Sequence, residues 1–390
     1  MHDAAIIQSF FLIFSGAAIL AAAALYTRQP FLIAYIVLGL LLGPYGLGWV
    51  GDTALLAEIA EFGIVFLLFL VGLDLQPKRL RNMLGESLLT GLLTTVLFCS
   101  LGFVVMQAFG FSRIEALIGG VALSFSSTIM GIKLLPTTVL HHRHTGEIVV
   151  SLLLIQDLFA IIALLVIAGI GETLDSTLSG LTIVLLTLPL LGLAAWAGLR
   201  WLVLPLLRRF DAFTEFIFLL ALGWCLGLAS AAQALGLSFE IGALIAGVSL
   251  ASTPVAPFIV ENLRPLRDFF LVLFFFTVGA SLNGALVLEV WLPTLCLALL
   301  LVASKPPIFA ALLGWQGENR NTAIEVGCRL GQASEFSLLL SYVAAAAGLL
   351  SVEAAHVIQG ATVLTLVFNT YLVIFRFPNP IAPLAHLRRD

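Results

Sequence analysis

Residues 123–131 read LSFSSTIMG, and residues 329–337 read RLGQASEFS. The first places Ser126, Ser127 and Thr128 inside an apolar run predicted to be helical over about 114–136. The second places Gly331, Gln332, Ser334 and Glu335 inside another, predicted over about 320–346. Small polar residues are enriched where membrane helices pack, so either stretch alone has a plain packing explanation. Together, at equivalent places 207 residues apart, they point to two helices that unwind near the middle of a membrane. Such breaks free main-chain carbonyls and half-helix ends for ion coordination.

The rest of the chain fits a membrane setting. It has 390 residues, 61% hydrophobic and only 10% charged, with a mean hydropathy of +1.13. Apolar runs of helix length recur from end to end, which favours an all-α polytopic membrane protein over a barrel of alternating short strands. The first run, about 4–25, follows His2 and Asp3 with no basic flank, so it reads as the first membrane helix and not as a cleaved signal. Cys99, Cys225, Cys296 and Cys328 fall in apolar runs without CxxC spacing, which argues against disulfides or zinc. No basic block suggests nucleic acid, and no phosphate-cradling glycine motif or nucleophile–base arrangement suggests an ATP-driven pump or an enzyme.

Pro, Gly and charge clusters divide the chain into thirteen predicted helices, about 4–25, 30–48, 54–73, 84–108, 114–136, 146–170, 178–205, 213–234, 238–252, 264–282, 287–312, 320–346 and 353–376. Fourteen of the eighteen basic residues then fall in alternate loops, while the opposite loops hold only Arg113. By the positive-inside rule the N-terminus lies outside and the C-terminus in the cytoplasm, in a bacterial-type inner membrane. The loops leave no room for a separate soluble domain, so residues 1–390 read as one transmembrane domain.

Three segment pairs share one offset. VFLLFLVGLDL (65–75) resembles VLFFFTVGASL (272–282), YIVLGLLLGP (35–44) resembles ALIAGVSLAS (243–252), and GVALSFSST (120–128) lies against GCRLGQASE (327–335). The offset is 207 or 208 throughout. Repeat one (about 4–170) and repeat two (about 213–376) are joined by a linker helix (about 178–205). Six helices plus one linker would invert the second copy, an architecture of secondary transporters with the site between the repeats.

Residues 151–162, SLLLIQDLFAII, carry the chemistry. Gln156 and Asp157 lie near the bilayer centre, with no other charge between Glu147 and Glu172. A charge there costs at least ~2.5–3.5 kcal/mol on insertion scales. A carboxylate in that place is neutralised by a proton, a cation or a basic neighbour. Lys305, just before Pro306 and Pro307, is the natural counter-charge for Asp157 or for backbone groups freed by the prolines. Glu335 reads as a ligand or as a partner of Arg329 through the break, and Lys133 as a snorkelling residue. Asp74 and Asp268 read as interfacial partners of nearby basic residues. His141, His142 and His144 sit in a short loop with Arg143, an arrangement weak for a metal and open to a pH-sensing role.

The pieces VLGLLLGPYGLG (37–48), EFGIVFLLFLVGLDLQPKRL (61–80), ALSFSSTIMGIKLL (122–135), LLLIQDLFAII (152–162), LSFEIGALIAGVSLAS (237–252), LFFFTVGASL (273–282) and GQASEFSLLL (331–340) resemble the monovalent cation:proton antiporter-2 family, and within it the Kef-type potassium/proton branch. The resemblance implies the NhaA-like antiporter fold, two inverted six-helix repeats with crossed discontinuous helices, and a homodimer. It implies that Asp157 binds the cation or the proton, assisted by Gln156 and by Ser126, Ser127 and Thr128, with Lys305 as the core lysine. Relatives carry Asp-Asp or Asn-Asp where this chain has Gln156-Asp157, so one proton per cation, electroneutral exchange, is the simplest expectation. An amide carbonyl favours K⁺ over Na⁺. Kef systems continue into a cytosolic regulatory domain, whereas this sequence stops at LAHLRRD, which reads either as a shortened piece of such a protein or as an unregulated relative; the loop 253–268 lacks the acidic sequence of the gated members.

The expected function is therefore secondary exchange of a monovalent cation for H⁺ across the lipid bilayer by alternating access, with no cofactor. A channel-like efflux protein, an ion-coupled symporter and a non-transporting ion sensor are the alternatives.

Overall fold

A computed structural model describes the chain except residues 1, 51–52, 75–76, 136–143, 174–178, 211–212, 252, 380–386 and 388–390. His141, His142 and Arg143 thus lie outside the described residues, as do the side chains of Asp74, Lys78, Arg79, Arg81 and Lys133. The described chain is helical: α1 His2–Thr27, α2 Phe31–Leu42, α3 Thr53–Asp74, α4 Pro77–Ala108, α5 Arg113–Ser124, α6 Thr128–Lys133, α7 His144–Thr173, α8 Ser179–Gly198, a π-turn Leu199–Val203 leading into α9 Leu204–Phe210, α10 Thr214–Ala234, α11 Phe239–Ala251, α12 Ala256–Ser281, α13 Gly284–Glu289, α14 Trp291–Trp315, α15 Arg320–Arg329, α16 Glu335–Ala346 and α17 Val352–Arg376. Among the described residues, seven helices are long and apolar enough to cross a membrane, and shorter apolar helices lie between them. This is a multi-pass membrane protein.

The two expected breaks are found, while the bounds of other predicted helices differ: α12 starts at Ala256, inside the stretch 253–268 read as a loop. The segment 114–136 is two helices, α5 and α6, and 320–346 is likewise α15 and α16. The segment 287–312 begins instead with the short α13, capped by Asn283, and α14 then runs through Pro306 and Pro307 to Trp315. The prolines do not end α14; a third pair of helix ends is therefore not formed there.

The chain divides into two compact units. The first comprises residues 1–18, 35–80 and 165–281, and the second residues 19–34, 81–164 and 282–390. In the first unit α3 packs against α11 and α12, and α10 against α11. Its interior is built from Phe66, Phe69, Phe274 and Phe276, all buried. Lipid tails are as apolar as these side chains, so helix association rests on close packing. Backbones meet where glycine permits: a Cβ on Gly39 would collide with the carbonyl of Phe276, and a Cβ on Gly247 with that of Phe69.

These two contacts are reciprocal. Gly247 lies 208 residues after Gly39 and Phe276 lies 207 after Phe69, the offsets noted in the sequence. In the second unit the pattern recurs, with Gly120 against the carbonyl of Cys99 and Gly327 against that of Pro306. Among its described residues, two apolar cores are found. Phe98, Leu152, Phe309 and Val326 join α4, α7, α14 and α15, while Met130, Leu134, Leu366 and Val373 join the α6 region to α17.

Candidate functional site

The second unit holds every residue singled out from the two polar interruptions. α5 ends at Ser124, and Phe125 turns extended, with φ −78° and ψ 155°. Ser127 then starts the chain again: its hydroxyl accepts the N–H of Met130, satisfying one of the donors that a helix start leaves free. The second break is built the same way. α15 ends at Arg329, and Ser334 opens α16 by accepting the N–H of Phe336, with Ser337 completing a capping box. Hydroxyl residues therefore supply both restarts, which is why the breaks carry them.

The two breaks cross and are stitched together. Ser126 Oγ donates to the Leu330 carbonyl at 2.8 Å, and Ser337 Oγ to the Ala122 carbonyl at 2.6 Å. Gln332 Nε2 makes a long 3.5 Å contact to the Ser127 carbonyl. From α14, fully buried Lys305 donates to the Phe125 carbonyl at 2.8 Å and to the Gln332 carbonyl at 3.0 Å, one from each break. An ammonium at the carbonyl end of α5 meets its negative partial charge, so the lysine neutralises helix ends that have no water to bond them. Of the two partners the sequence left open for Lys305, main-chain carbonyls are found, although they come from the two breaks and not from its own prolines. The ring of Phe98 lies 5.3 Å from the same nitrogen.

α7 brings the amide and the acid against the first break. The Ser126 N–H donates to Gln156 Oε1 at 3.0 Å, so the carbonyl read from sequence as an ion ligand holds the broken backbone. Its Nε2 is buried without a hydrogen-bond partner. One residue on, the Thr128 hydroxyl straddles the Asp157 carboxylate, 3.1 Å from Oδ1 and 2.9 Å from Oδ2. Gln156 is fully buried, whereas Asp157 is only half-buried. A half-buried carboxylate beside a hydroxyl and unwound main chain is a set of hard oxygens, suited to a proton or an alkali cation.

Glu335 sits in the first turn of α16, 3.4 Å from the Ser334 hydroxyl. Arg329 makes its ion pair with Glu325, one turn back on α15 at 2.8 Å, in place of the Glu335 pairing considered from sequence. Asp268 pairs with Arg267 at 2.9 Å. His144 Nε2 lies 2.8 Å from Glu318 Oε1 and its Nδ1 3.6 Å from Glu147 Oε2.

Sequence reasoning placed α17, at about 353–376, but missed its polar side chains. Its Thr365 hydroxyl accepts the N–H of Ala333, and Asn369 Nδ2 donates to the Cys328 carbonyl at 3.0 Å and to Gln332 Oε1. Gln359, Thr362, Thr365 and Asn369, spaced three or four apart, are all buried. That spacing forms one polar stripe on a membrane helix, the signal that could have found them.

Residues 10–375 match the family model described as "Sodium/hydrogen exchanger, transmembrane". Among curated relatives, K(+) efflux antiporter 6 of Arabidopsis thaliana is 30% identical over 90% of this chain and 60% of its own length. K(+) efflux antiporter 4 of the same plant is 30% identical over 88% of this chain and 59% of its own. The chain thus spans about three-fifths of these relatives. The iron transporter MagA of Paramagnetospirillum magneticum is 27% identical over 88% of this chain and 79% of its own length. Among solved structures, the sodium proton antiporter MjNhaP1 of Methanocaldococcus jannaschii superposes with a TM-score of 0.69, covering 94% of this chain and 95% of that one at 16% identity. That likeness establishes the antiporter fold.

Proposed function

This chain belongs to the sodium/hydrogen exchanger family, and on that premise we propose that it exchanges a monovalent cation for protons, with Asp157 as the group that carries each in turn. The observation that carries the reading is the half-buried Asp157 carboxylate, bridged by the Thr128 hydroxyl where two broken helices cross. Either a proton or a cation neutralises it, which lowers the barrier to moving the site; the empty, charged form is reluctant to cross. That rule enforces exchange over leak. Protons and cations compete for the same oxygens, so apparent cation affinity falls as pH drops.

K⁺ is the favoured cation, with Na⁺ second, because two relatives are named as K⁺ efflux antiporters. With one carboxylate at Asp157, the neighbouring position an amide, and the Lys305 ammonium given to two carbonyls, one proton per cation is the expected stoichiometry. The offset shared by the glycine contacts supports two repeats, about 4–170 and 213–376, around a linker helix. The basic residues support an N-terminus outside and a C-terminus in the cytoplasm of a bacterial-type inner membrane. A homodimer completes the proposal.

The test is proton movement in proteoliposomes carrying a pH-sensitive dye, challenged with K⁺, Na⁺ or Li⁺, beside Asp157→Asn. Cation-evoked flux that disappears in the variant is expected. Flux that persists in Asp157→Asn would remove the acid from its role, and conductance without proton movement would favour a channel.

A further inference from the structure

Arg329 has no part in the exchange chemistry above, yet it is among the largest fully buried side chains, with 2% of its surface exposed. A guanidinium has five N–H donors in a fixed fork and is always charged, so at this depth it must be given acceptors. Nε and Nη2 both donate to Glu325 Oε1, at 3.0 and 2.8 Å. Nη1 donates to the Leu134 carbonyl and Nη2 to the Pro378 carbonyl, each at 2.8 Å. The ring of Phe377 lies 5.8 Å from the guanidinium carbon.

Glu325 alone would have satisfied the charge. The two carbonyls come from distant parts of the chain, and both lie just past helix ends. Leu134 follows the last residue of α6, and Pro378 lies two residues beyond α17; Arg329 is itself the last residue of α15. Carbonyls at such ends lack intrahelical donors. One side chain therefore clamps the carboxyl ends of α6, α15 and α17.

The clamp bears on the ion site because α6 is short. It has six residues, about 9 Å of helix. Thr128, which holds Asp157, is its first residue, and Leu134 directly follows its last. The segment after α17 is itself fixed: Asn379, fully buried, donates from Nδ2 to the carbonyls of Phe377 at 2.8 Å and Ile374 at 3.3 Å.

We infer that Arg329 is a positioning residue which ties the segment 377–379 to α6, so that displacing this segment loosens Thr128 from Asp157 and weakens cation binding. The inference rests on the exchange reading for its effect on transport, and on geometry alone for the mechanical tie. A force or ligand acting on the chain after α17 then reaches the ion site through one guanidinium.

The experiment compares wild type, Arg329→Gln, Arg329→Lys and a single glycine inserted after Arg376, which shifts the Pro378 carbonyl without touching the site. Amide hydrogen exchange on the full chain reads the tie at residues 128–135, and proteoliposome flux reads cation KM and maximal rate separately. The glycine insertion and Arg329→Gln are expected to speed exchange at 128–135 and to raise the cation KM roughly tenfold, within the ordinary range for coupling between two sites, with the maximal rate within about twofold. Lysine, a single point charge, is expected to fall between them and wild type. Unchanged exchange at 128–135 in the insertion variant overturns the tie. A lower maximal rate with unaltered KM overturns the positioning role and leaves Arg329 a fold stabiliser. If wild type moves no protons in response to any cation, the exchange reading fails, while hydrogen exchange in the insertion variant still decides the tie. Should Arg329→Gln fail to fold, the lysine and insertion variants carry both readouts.

Discussion

The ammonium of Lys305 lies 2.8 Å from the carbonyl of Phe125, the residue at which α5 gives way to extended chain. Its second bond, to the Gln332 carbonyl, comes from the other break. One lysine thus holds two unwound segments that share no sequence neighbourhood. Replacing it by methionine keeps the length and packing of the stem but strips two buried carbonyls of their donor. Each unsatisfied buried group costs about 1–3 kcal/mol, so Lys305→Met should lower stability by about 2–6 kcal/mol, read as a fall in melting temperature in detergent. An unshifted melting curve would mean that the breaks hold without it.

Thr128 separates binding from folding. Its hydroxyl bonds the Asp157 carboxylate, and a hydrogen bond to a charged group contributes about 1.5–3 kcal/mol. Thr128→Val keeps the shape and removes the hydroxyl; Thr128→Ser keeps the hydroxyl. The valine variant is expected to raise the cation KM at least about tenfold at pH 7, with serine close to wild type. Equal KM values for valine and serine would show that the hydroxyl does not serve the cation.

Gly331 tests the packing of the second break. A Cβ there would collide with Asn369 Oδ1 and lie 3.3 Å from the Pro306 ring. Gly331→Ala should therefore destabilise by about 1–3 kcal/mol, the usual cost of overpacking. Shortening the neighbour should restore part of the loss, so Gly331→Ala with Asn369→Ser is expected to melt above Gly331→Ala alone. The partial recovery is the diagnostic, because Asn369→Ser by itself gives up the bond to the Cys328 carbonyl and should cost stability.

What the sequence disclosed and what it hid have a common physical basis. The breaks were legible because restarting a helix takes hydroxyl side chains, and Ser127 and Ser334 stand where caps are needed. The repeat offset was legible because backbone contact demands glycine, and Gly39, Gly120, Gly247 and Gly327 leave that mark. Arg329 stands out in the letters only as a charge beside the second break, because besides Glu325 its acceptors are the carbonyls of Leu134 and Pro378. A main-chain carbonyl has no residue identity, so nothing in the letters at those positions could announce the contact. The same holds for Phe125 under Lys305. Asn369 and Thr365 were hidden differently: each is one polar residue in a long apolar helix, and only their joint spacing is informative.

Glu115, at the solvent end of α5, gives a dependence on pH that is separate from transport. It accepts the Ser112 N–H at 2.9 Å within a capping box and the Ser351 N–H at 3.0 Å, joining the starts of α5 and α17. Burial works to raise its carboxyl, but the hydrogen bonds from Ser351 and Ser112 outweigh it and bring the pKa from 4.5 down to about 2. A carboxyl depressed by folding adds stability that is fully present above its unfolded value and is lost as pH falls through its folded value. The difference in melting temperature between wild type and Glu115→Gln should therefore be full at pH 6 to 7, shrink below about 4.5, and be nearly gone near pH 2. Glutamine keeps one accepting oxygen and puts a donor in place of the other, so the variant gives up the charge together with one of the two main-chain bonds. A difference that stays constant down to pH 3, or that grows as pH falls, would show that the ionised carboxylate is not what holds these two helix starts together.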